Sequence, residues 1–127
     1  MENLKGIYTA LLTTFTDNRK INEMALIKLI NHNLDMGVTG FYVCGSTGEA
    51  LMLTAEERME IMRIVKENSK DAKLIAHIGS LNESYAVKLA RYASDLSYDL
   101  ISSVAPFYYK FTFSEIKEYY IRLAEAS

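Results

Sequence analysis

The 127-residue sequence predicts an α/β protein built from four strand–helix units around a parallel sheet. Short apolar runs alternate with longer amphipathic stretches along the chain, an order typical of parallel strands joined by helical crossovers. A residue suited to N-capping stands before each amphipathic stretch, so each unit has its own helix start. The composition is that of an ordinary globular domain, with 50% hydrophobic and 24% charged residues.

The first unit begins with the β-rich run Ile7–Leu12 and continues through a polar turn into a helix. Asn22 can cap this helix, and Glu23 lies in the first turn, where the helix dipole favours an acidic side chain. Gly37 predicts the end of the helix, because glycine readily adopts the left-handed conformation found there.

The other three units follow the same plan. Thr54 and Thr112 are each followed three residues later by glutamate, which is the spacing of a capping box, and Asn82 can cap the third helix. Their predicted strands are Phe41–Val43, Leu74–Ala76 and Leu100–Val104. Apolar residues recur at helical spacing in all four helices: Ile27, Ile30, Leu34; Ile61, Met62, Val65; Leu89, Ala93, Leu96; and Ile116, Tyr119, Tyr120, Leu123.

This order of elements fits two architectures. One is an open doubly wound sheet, and the other is part of a (β/α)8 barrel, which takes roughly 250 residues. Periodicity does not choose between them, although the chain has about half of that barrel length. We expect residues 1–127 to form a single domain of four βα units.

Charge and cysteine content limit the partners and the compartment. Lys+Arg is 14 and Asp+Glu is 16, so the net charge is −2 without a basic block, which disfavours nucleic acid as the main partner. The single cysteine, Cys44, cannot form an internal disulfide. Met1–Lys5 lacks an apolar signal core, and no apolar run approaches the roughly 20 residues of a membrane span. We therefore expect a cytoplasmic protein with no membrane segment.

The most informative stretch is Gly45–Glu49, which directly follows the second predicted strand. Glycines let the backbone turn tightly and approach a ligand, while the hydroxyls of Ser46 and Thr47 and the successive N–H groups make a candidate anion site. Such sheets bind ligands at the C-terminal ends of their strands. A plain glycine turn with incidental hydroxyls is the alternative, and for an isolated motif it is the commoner one.

A second candidate is Pro106–Lys110, just past the fourth predicted strand. The phenols of Tyr108 and Tyr109 can relay a proton or donate to a developing charge at such a position. The alternative is aromatic packing beneath a loop, which is the usual role of such rings.

Four other reactive residues are interpreted as structural. His32 and His77 have no cysteine, histidine or carboxylate at metal-ligand spacing, so we expect no metal site. Cys44 is interpreted as a small buried residue. Lys110 has no neighbours that would dry its surroundings and lower its pKa, as a Schiff-base lysine requires, so it is interpreted as a solvated loop lysine.

Four stretches taken in order carry a family resemblance that no single motif carries. They are Leu4–Ile7 with Ala10–Thr13, Gly40–Val43 with Gly45–Glu49, Leu74–His77 with Gly79, and Val104 and Pro106–Tyr109 with Phe111–Phe113. Together they resemble the N-acetylneuraminate lyase and dihydrodipicolinate synthase family of pyruvate-dependent class I aldolases. Ser46 and the Phe-Tyr-Tyr run after Pro106 favour the neuraminate lyase branch.

The resemblance implies a (β/α)8 barrel whose first half is this chain, completed by self-association or by a partner half. Ser46 and Thr47 would hold the pyruvate carboxylate through hydroxyl and backbone N–H groups, with Gly48 as the third substrate-binding residue, and Ser46 would join a hydroxyl relay. Tyr108 would match a tyrosine that reaches across a subunit interface into that relay. The Schiff-base lysine, on the sixth strand, and its tyrosine, on the fifth, would lie beyond Ser127. No cofactor is implied.

The sequence departs from the family pattern at four positions. Thr14 stands where proline is usual, Ala105 where threonine is usual, and Ser97 where glycine is common. Cys44 occupies a position often held by glycine or asparagine. Ala105 bears on the geometry of the neighbouring tyrosines, and the other three suggest relaxed loop constraints.

Three functions are compatible with these residues. The first is half of a lyase that cleaves N-acetylneuraminate to N-acetylmannosamine and pyruvate, active only when a second half supplies the lysine. The second is a non-catalytic half-barrel that self-associates as a homodimer or structural module. The third is a free-standing binder of pyruvate-like anions that uses Gly45–Glu49 alone.

Overall fold

The computed structural model describes residues 4–127 and contains the four expected units. The start Met1–Asn3, interpreted above as lacking a signal core, lies outside the described residues. The strands are β1 (Tyr8–Ala10), β2 (Gly40–Val43), β3 (Lys73–His77) and β4 (Leu100–Ser102). The helices are α1 (Glu23–Asp35), α2 (Ala55–Asn68), α3 (Glu83–Asp95) and α4 (Phe113–Glu125), and a 3-10 turn spans Ala50–Met52.

The four strands form one parallel sheet in the order β1-β2-β3-β4. A doubly wound sheet reverses its strand order partway, and this sheet does not. Each helix packs mainly against the next helix along the chain, so the helices lie side by side over one face. The predicted α/β class with four βα units is confirmed, and its arrangement is that of consecutive units of a barrel.

The edge strands are shorter than the sequence predicted, whereas the central strands are longer. β1 was expected over Ile7–Leu12 and β4 over Leu100–Val104, but each has only one neighbouring strand to pair with. Ladder hydrogen bonds run slightly past β1, since the Leu11 amide donates to the Tyr42 carbonyl at 3.0 Å. The central strands gain length because they pair on both sides.

Side chains on the central strands alternate between two environments. Phe41, Val43 and Ala76 are fully buried beneath the helices. Tyr42 and Ile75, paired in the β2–β3 register, point to the other face and remain partly exposed. Burying a large apolar side chain stabilises the fold by about 1.5–3 kcal/mol, so the helix-covered face provides the core.

The predicted helix caps are confirmed. The Asn22 side chain accepts from the Ala25 amide at 3.1 Å, and Thr54 and Thr112 each form a complete capping box. Gly37 follows the end of α1 with a positive φ of 82°. A good N-cap contributes about 1 kcal/mol, so these local signals fix the helix starts before packing is considered.

Two of the residues that depart from the family pattern adopt the left-handed backbone conformation. Ser97 has φ 54° and Cys44 has φ 56°. The family resemblance predicts glycine at the first position and glycine or asparagine at the second. For a residue with a side chain this conformation costs roughly 1–2 kcal/mol. The expectation of relaxed loop constraints is therefore wrong at both positions, because the backbone keeps the demanding conformation.

Asp99 links β3 and β4 at their N-terminal ends. Its carboxylate accepts from the Leu74 amide at 2.9 Å and from the Lys73 ammonium at 2.6 Å, while its own amide donates to the Leu74 carbonyl. Burial alone would raise the pKa of Asp99, but the hydrogen bonds from Lys73 and Leu74 outweigh it and hold the pKa below its usual value.

The substitution Asp99→Asn tests these interactions of Asp99 with Lys73 and Leu74. A carboxylate with a depressed pKa stabilises the fold above its unfolded pKa of about 3.9, and that stability is lost as the pH falls through the lower folded value. We expect a loss of about 0.5–1 kcal/mol at pH 7, modest because solvent screens the pair, shrinking below about pH 4. Urea unfolding measures it, with Asp95→Asn as the control. A loss independent of pH would contradict the assignment.

Candidate functional site

The loop after β2 is tied to itself and to the loop after β1. The Gly45 carbonyl accepts from the amides of Gly48, at 3.1 Å, and Ala50, at 3.3 Å. The Thr13 hydroxyl donates to the Gly48 carbonyl at 2.6 Å. These bonds fold residues 44–50 into a compact turn at the C-terminal end of β2, where the sequence predicted a ligand site.

Within this turn, Ser46 and Thr47 are exposed and unengaged. Neither their amides nor their hydroxyls make a hydrogen bond to any group in residues 4–127. Consecutive unpaired N–H groups beside two hydroxyls suit a carboxylate, since a charge-assisted hydrogen bond is stronger than a neutral one. The structure therefore places these two predicted residues side by side with open donors.

The glycines of the turn provide space. A Cβ added at Gly45 would lie 2.6 Å from Cε1 of Tyr42, and one added at Gly48 would lie 2.9 Å from the Leu11 carbonyl oxygen. Neither glycine has a positive φ, and the left-handed residues are instead Cys44 and Glu49. The N–H of Gly48 donates to the Gly45 carbonyl within the turn. It is therefore not free to bind a ligand, and Gly48 contributes close packing instead.

The loop after β4 displays its tyrosines outward. Tyr108 is 74% exposed and Tyr109 is 72% exposed, and their rings meet edge to face with centroids 5.0 Å apart. The alternative that these rings pack beneath the loop is therefore wrong for both. Tyr108 makes no hydrogen bond to Ser46 within the described chain. Lys110 is exposed, as expected of a solvated loop lysine.

A buried arginine, which the sequence analysis missed, joins α2 to the end of β3. Arg58 is 3% exposed, and its guanidinium donates to the carbonyls of His77 and, at 2.9 Å, of Gly79. Its Nε has no partner among residues 4–127. Burial lowers the pKa of Arg58. The only sequence signal is helical spacing, because Arg58 stands three residues after Ala55 and three residues before Ile61, both of which are buried on α2.

Cys44 and His77 are buried around this arginine. Burial raises the pKa of the Cys44 thiol to about 11, although the Arg58 guanidinium opposes the shift, so the thiol stays protonated near neutral pH. The pKa of His77 is lowered by burial and then by Arg58. The interpretation of Cys44 as a small buried residue is confirmed, and His77 is buried on β3, whereas His32 is exposed on α1.

A second missed feature is a hydroxyl pair on the open face of the sheet. The Tyr42 phenol and the Ser102 hydroxyl form a hydrogen bond of 2.7 Å between β2 and β4. The sequence signal for Tyr42 is the alternation of side chains along a strand, which turns Tyr42 to the face opposite that of Phe41 and Val43.

The described part of the chain has neither a cluster of metal-ligating side chains nor a helix suited to a membrane. Residues 4–127 contain no group of three or more metal-ligating His, Cys, Asp or Glu side chains. Among the helices of the same residues, none has the length and apolarity required to cross a bilayer.

The fold and the turn together define a class: consecutive βα units of a (β/α)8 barrel with a turn of unpaired N–H and hydroxyl donors at the C-terminal end of the sheet. Comparison with known proteins identifies the family. The sequence profile of the Dihydrodipicolinate synthetase family matches residues 3–127, and the chain belongs to that family.

Three relatives illustrate the match. The N-acetylneuraminate lyase of Pasteurella multocida is 51% identical over 129 residues, which cover 100% of this chain and 44% of that protein. The Clostridium difficile protein CdNal, solved with mannosamine, gives a TM-score of 0.94 at 48% identity, covering 98% of this chain and 43% of that one. The Fusobacterium nucleatum N-acetylneuraminate lyase, solved with pyruvate, gives 0.89 at 42% identity, covering 98% and 42%. The chain thus spans less than half the length of these relatives.

Arg58→Met tests how much the buried guanidinium stabilises the fold by joining α2 to the end of β3. The change leaves two buried carbonyls without donors, each worth about 1–3 kcal/mol, while it relieves the desolvation of a charge. We expect a net loss of about 2 kcal/mol in the free energy of unfolding. Arg63→Met on the same helix removes an exposed ion pair with Glu67 and should cost less than about 0.5 kcal/mol. Denaturant unfolding at one fixed protein concentration compares them, and equal losses would contradict the prediction.

Proposed function

We propose that residues 1–127 form a single half-barrel domain, the N-terminal half of a pyruvate-dependent carbon–carbon lyase that cleaves N-acetylneuraminate to N-acetylmannosamine and pyruvate. The observation that carries the proposal is the pair of open N–H and hydroxyl donors at Ser46 and Thr47. Two of the relatives named above support it, because both are named N-acetylneuraminate lyase and one of them was solved with pyruvate. The unpaired thiol of Cys44 suits a reducing, cytoplasmic compartment.

In this proposal the turn acts as the carboxylate clamp of the site. Ser46 and Thr47 donate to the two carboxylate oxygens of pyruvate, which orients its carbonyl carbon for imine formation. The Ser46 hydroxyl also belongs to the relay that moves protons during bond cleavage. Tyr108, whose side chain is 74% exposed, reaches the relay of a neighbouring subunit.

The Schiff-base lysine of the proposed reaction comes from the second half of the barrel. Such a lysine needs surroundings that lower its pKa. Lys73 is the lysine placed within a strand, but it lies at the end of β3 remote from the turn, and its ion pair with Asp99 raises its pKa. Lys66 is partly exposed and donates a hydrogen bond to the Ser97 carbonyl, and Lys88 is exposed and forms an ion pair with Glu56.

A second candidate function is a self-associating half-barrel without catalysis. The face of the sheet opposite the helices carries Leu100, which pairs with Ile75 and is 39% exposed. Leu12 and Val104, at 53% and 44% exposure, continue the same alternation beyond the ends of β1 and β4. β1 and β4 each leave one side unpaired within the described sheet, and unpaired edges promote association. This observation favours assembly whether or not the turn binds a ligand.

Pyruvate titration followed by amide NMR tests the proposed site. We expect the amides of Ser46 and Thr47 to shift with millimolar affinity, on the order of −4 kcal/mol, because water competes for donors that remain exposed. Ser46→Ala and Thr47→Val should weaken binding severalfold, whereas Ser114→Ala, an exposed serine on α4, should not. Micromolar binding that Thr47→Val leaves unchanged would place the site elsewhere.

Borohydride reduction with pyruvate adds an independent control. A Schiff base would be trapped as a stable mass increase, so we expect the mass of this 127-residue chain to stay unchanged. Adding a C-terminal half that carries the sixth-strand lysine should produce one adduct, located on that half. A stoichiometric adduct on Lys110 or any other lysine of this chain would refute the assignment.

The unpaired edges of β1 and β4 predict self-association. Two copies related by a two-fold axis can pair β1 of one with β4 of the other and close eight strands. We expect light scattering at micromolar concentration to exceed the 14.4 kDa of one chain, with an unfolding midpoint that rises with concentration. Leu100→Lys should favour the monomer, whereas Met24→Lys, 70% exposed on α1, should not. A concentration-independent monomer would refute the pairing.

A further inference from the structure

The Tyr42–Ser102 hydrogen bond passes across an intervening strand. Tyr42 pairs with Ile75, and Ser102 pairs with His77, so the 2.7 Å contact spans β3 diagonally on the open face of the sheet. The ring of Tyr42 also lies 6.1 Å from the imidazole of His77, centroid to centroid. The phenol is thereby restrained at both its hydroxyl and its ring.

This restraint is not required to hold the sheet together. β2 and β4 are each joined to β3 by backbone hydrogen bonds along their described lengths. A side-chain bridge between two strands that already share a neighbour adds little to strand pairing. Its structural effect falls on the position of the Tyr42 ring.

The ring in turn determines where Gly45 can lie. It packs so closely beneath Gly45 that an added Cβ would come within 2.6 and 2.7 Å of two ring carbons. The Gly45 carbonyl is the acceptor for both the Gly48 and the Ala50 amides. A displacement of Gly45 therefore moves the whole turn, including the two residues with open donors.

We propose that Tyr42, anchored by Ser102, is a positioning residue that supports Gly45 and so sets the direction of the Ser46 and Thr47 N–H groups. The inference deepens the proposed function and rests on it for its catalytic meaning. Donors that are already ordered bind a carboxylate without the entropic cost of being ordered on binding. Support of Gly45 by Tyr42 lowers this cost for the Ser46 and Thr47 donors. Tyr42 acts through the backbone of the turn, so no contact with the ligand is required.

The experiment uses residues 1–127 and begins without ligand. Tyr42→Phe keeps the ring but removes the bridge, and Ser102→Ala removes it from the other side. We expect both to shift the Ser46 and Thr47 amide resonances in the same direction and to speed their hydrogen exchange. Because both substitutions break the same hydrogen bond, the double variant should show amide shifts and exchange rates no larger than those of either single variant. Ser102→Thr retains the hydroxyl and should restore the wild-type spectrum.

Tyr98→Phe is the matched control. The Tyr98 phenol donates to the Met62 carbonyl at 2.8 Å, a bond of similar length placed just before β4, at the opposite end of the sheet. This variant should lower stability while leaving the Ser46 and Thr47 amides unchanged. In the pyruvate arm, Tyr42→Phe and Ser102→Ala should raise the dissociation constant roughly threefold to tenfold, as the loss of one net hydrogen bond does, and Tyr98→Phe should not.

The two arms separate the two ideas. If the turn amides of Tyr42→Phe and Ser102→Ala match those of the wild type, or if Tyr98→Phe perturbs them equally, the positioning role is overturned. If the wild-type amides ignore pyruvate while the ligand-free shifts occur as expected, the positioning role stands and the proposed function fails.

Discussion

The parallel pairing of β2 with β3 determines which side chains meet elsewhere in the molecule. Because successive residues point to opposite faces, the register that buries Phe41 and Leu74 beneath the helices necessarily turns Tyr42 and Ile75 the other way. A slip of one residue would exchange the two sets and remove both the core and the support under the turn at Gly45. The hydrophobic core and the candidate site are therefore two results of one alignment.

The two ends of the sheet differ in how their polar groups are used. At the N-terminal end Asp99 engages the backbone of Leu74 and the ammonium of Lys73, so hydrogen-bonding capacity is consumed internally. At the C-terminal end Ser46 and Thr47 leave theirs open toward solvent. This division is common in barrels of βα units, where one end stabilises and the other binds. The open donors at this end support the proposed ligand site at the turn more strongly than the motif alone does.

Local chemistry made much of the fold predictable, and non-local packing accounts for the rest. The caps at Thr54 and Thr112 depend on residues three apart, so sequence spacing suffices to find them. Ser46 and Thr47 were placed correctly at a strand end for the same reason. Arg58 was missed because an arginine near a helix start is usually solvated, and its burial depends on carbonyls some twenty positions away. The Tyr42–Ser102 pair requires three strands in register before it exists.

Contacts in this protein run chiefly between elements that are neighbours along the chain, strand to next strand and helix to next helix. Such an arrangement resembles a linear array, in which stability accumulates unit by unit and short loop closures suffice at each step. A growing chain can therefore consolidate each βα unit as it emerges, without waiting for distant sequence. The Tyr42–Ser102 contact is an exception, since sixty positions separate its partners. It cannot form until the fourth strand has been added, so the support of the binding turn matures later than the turn itself.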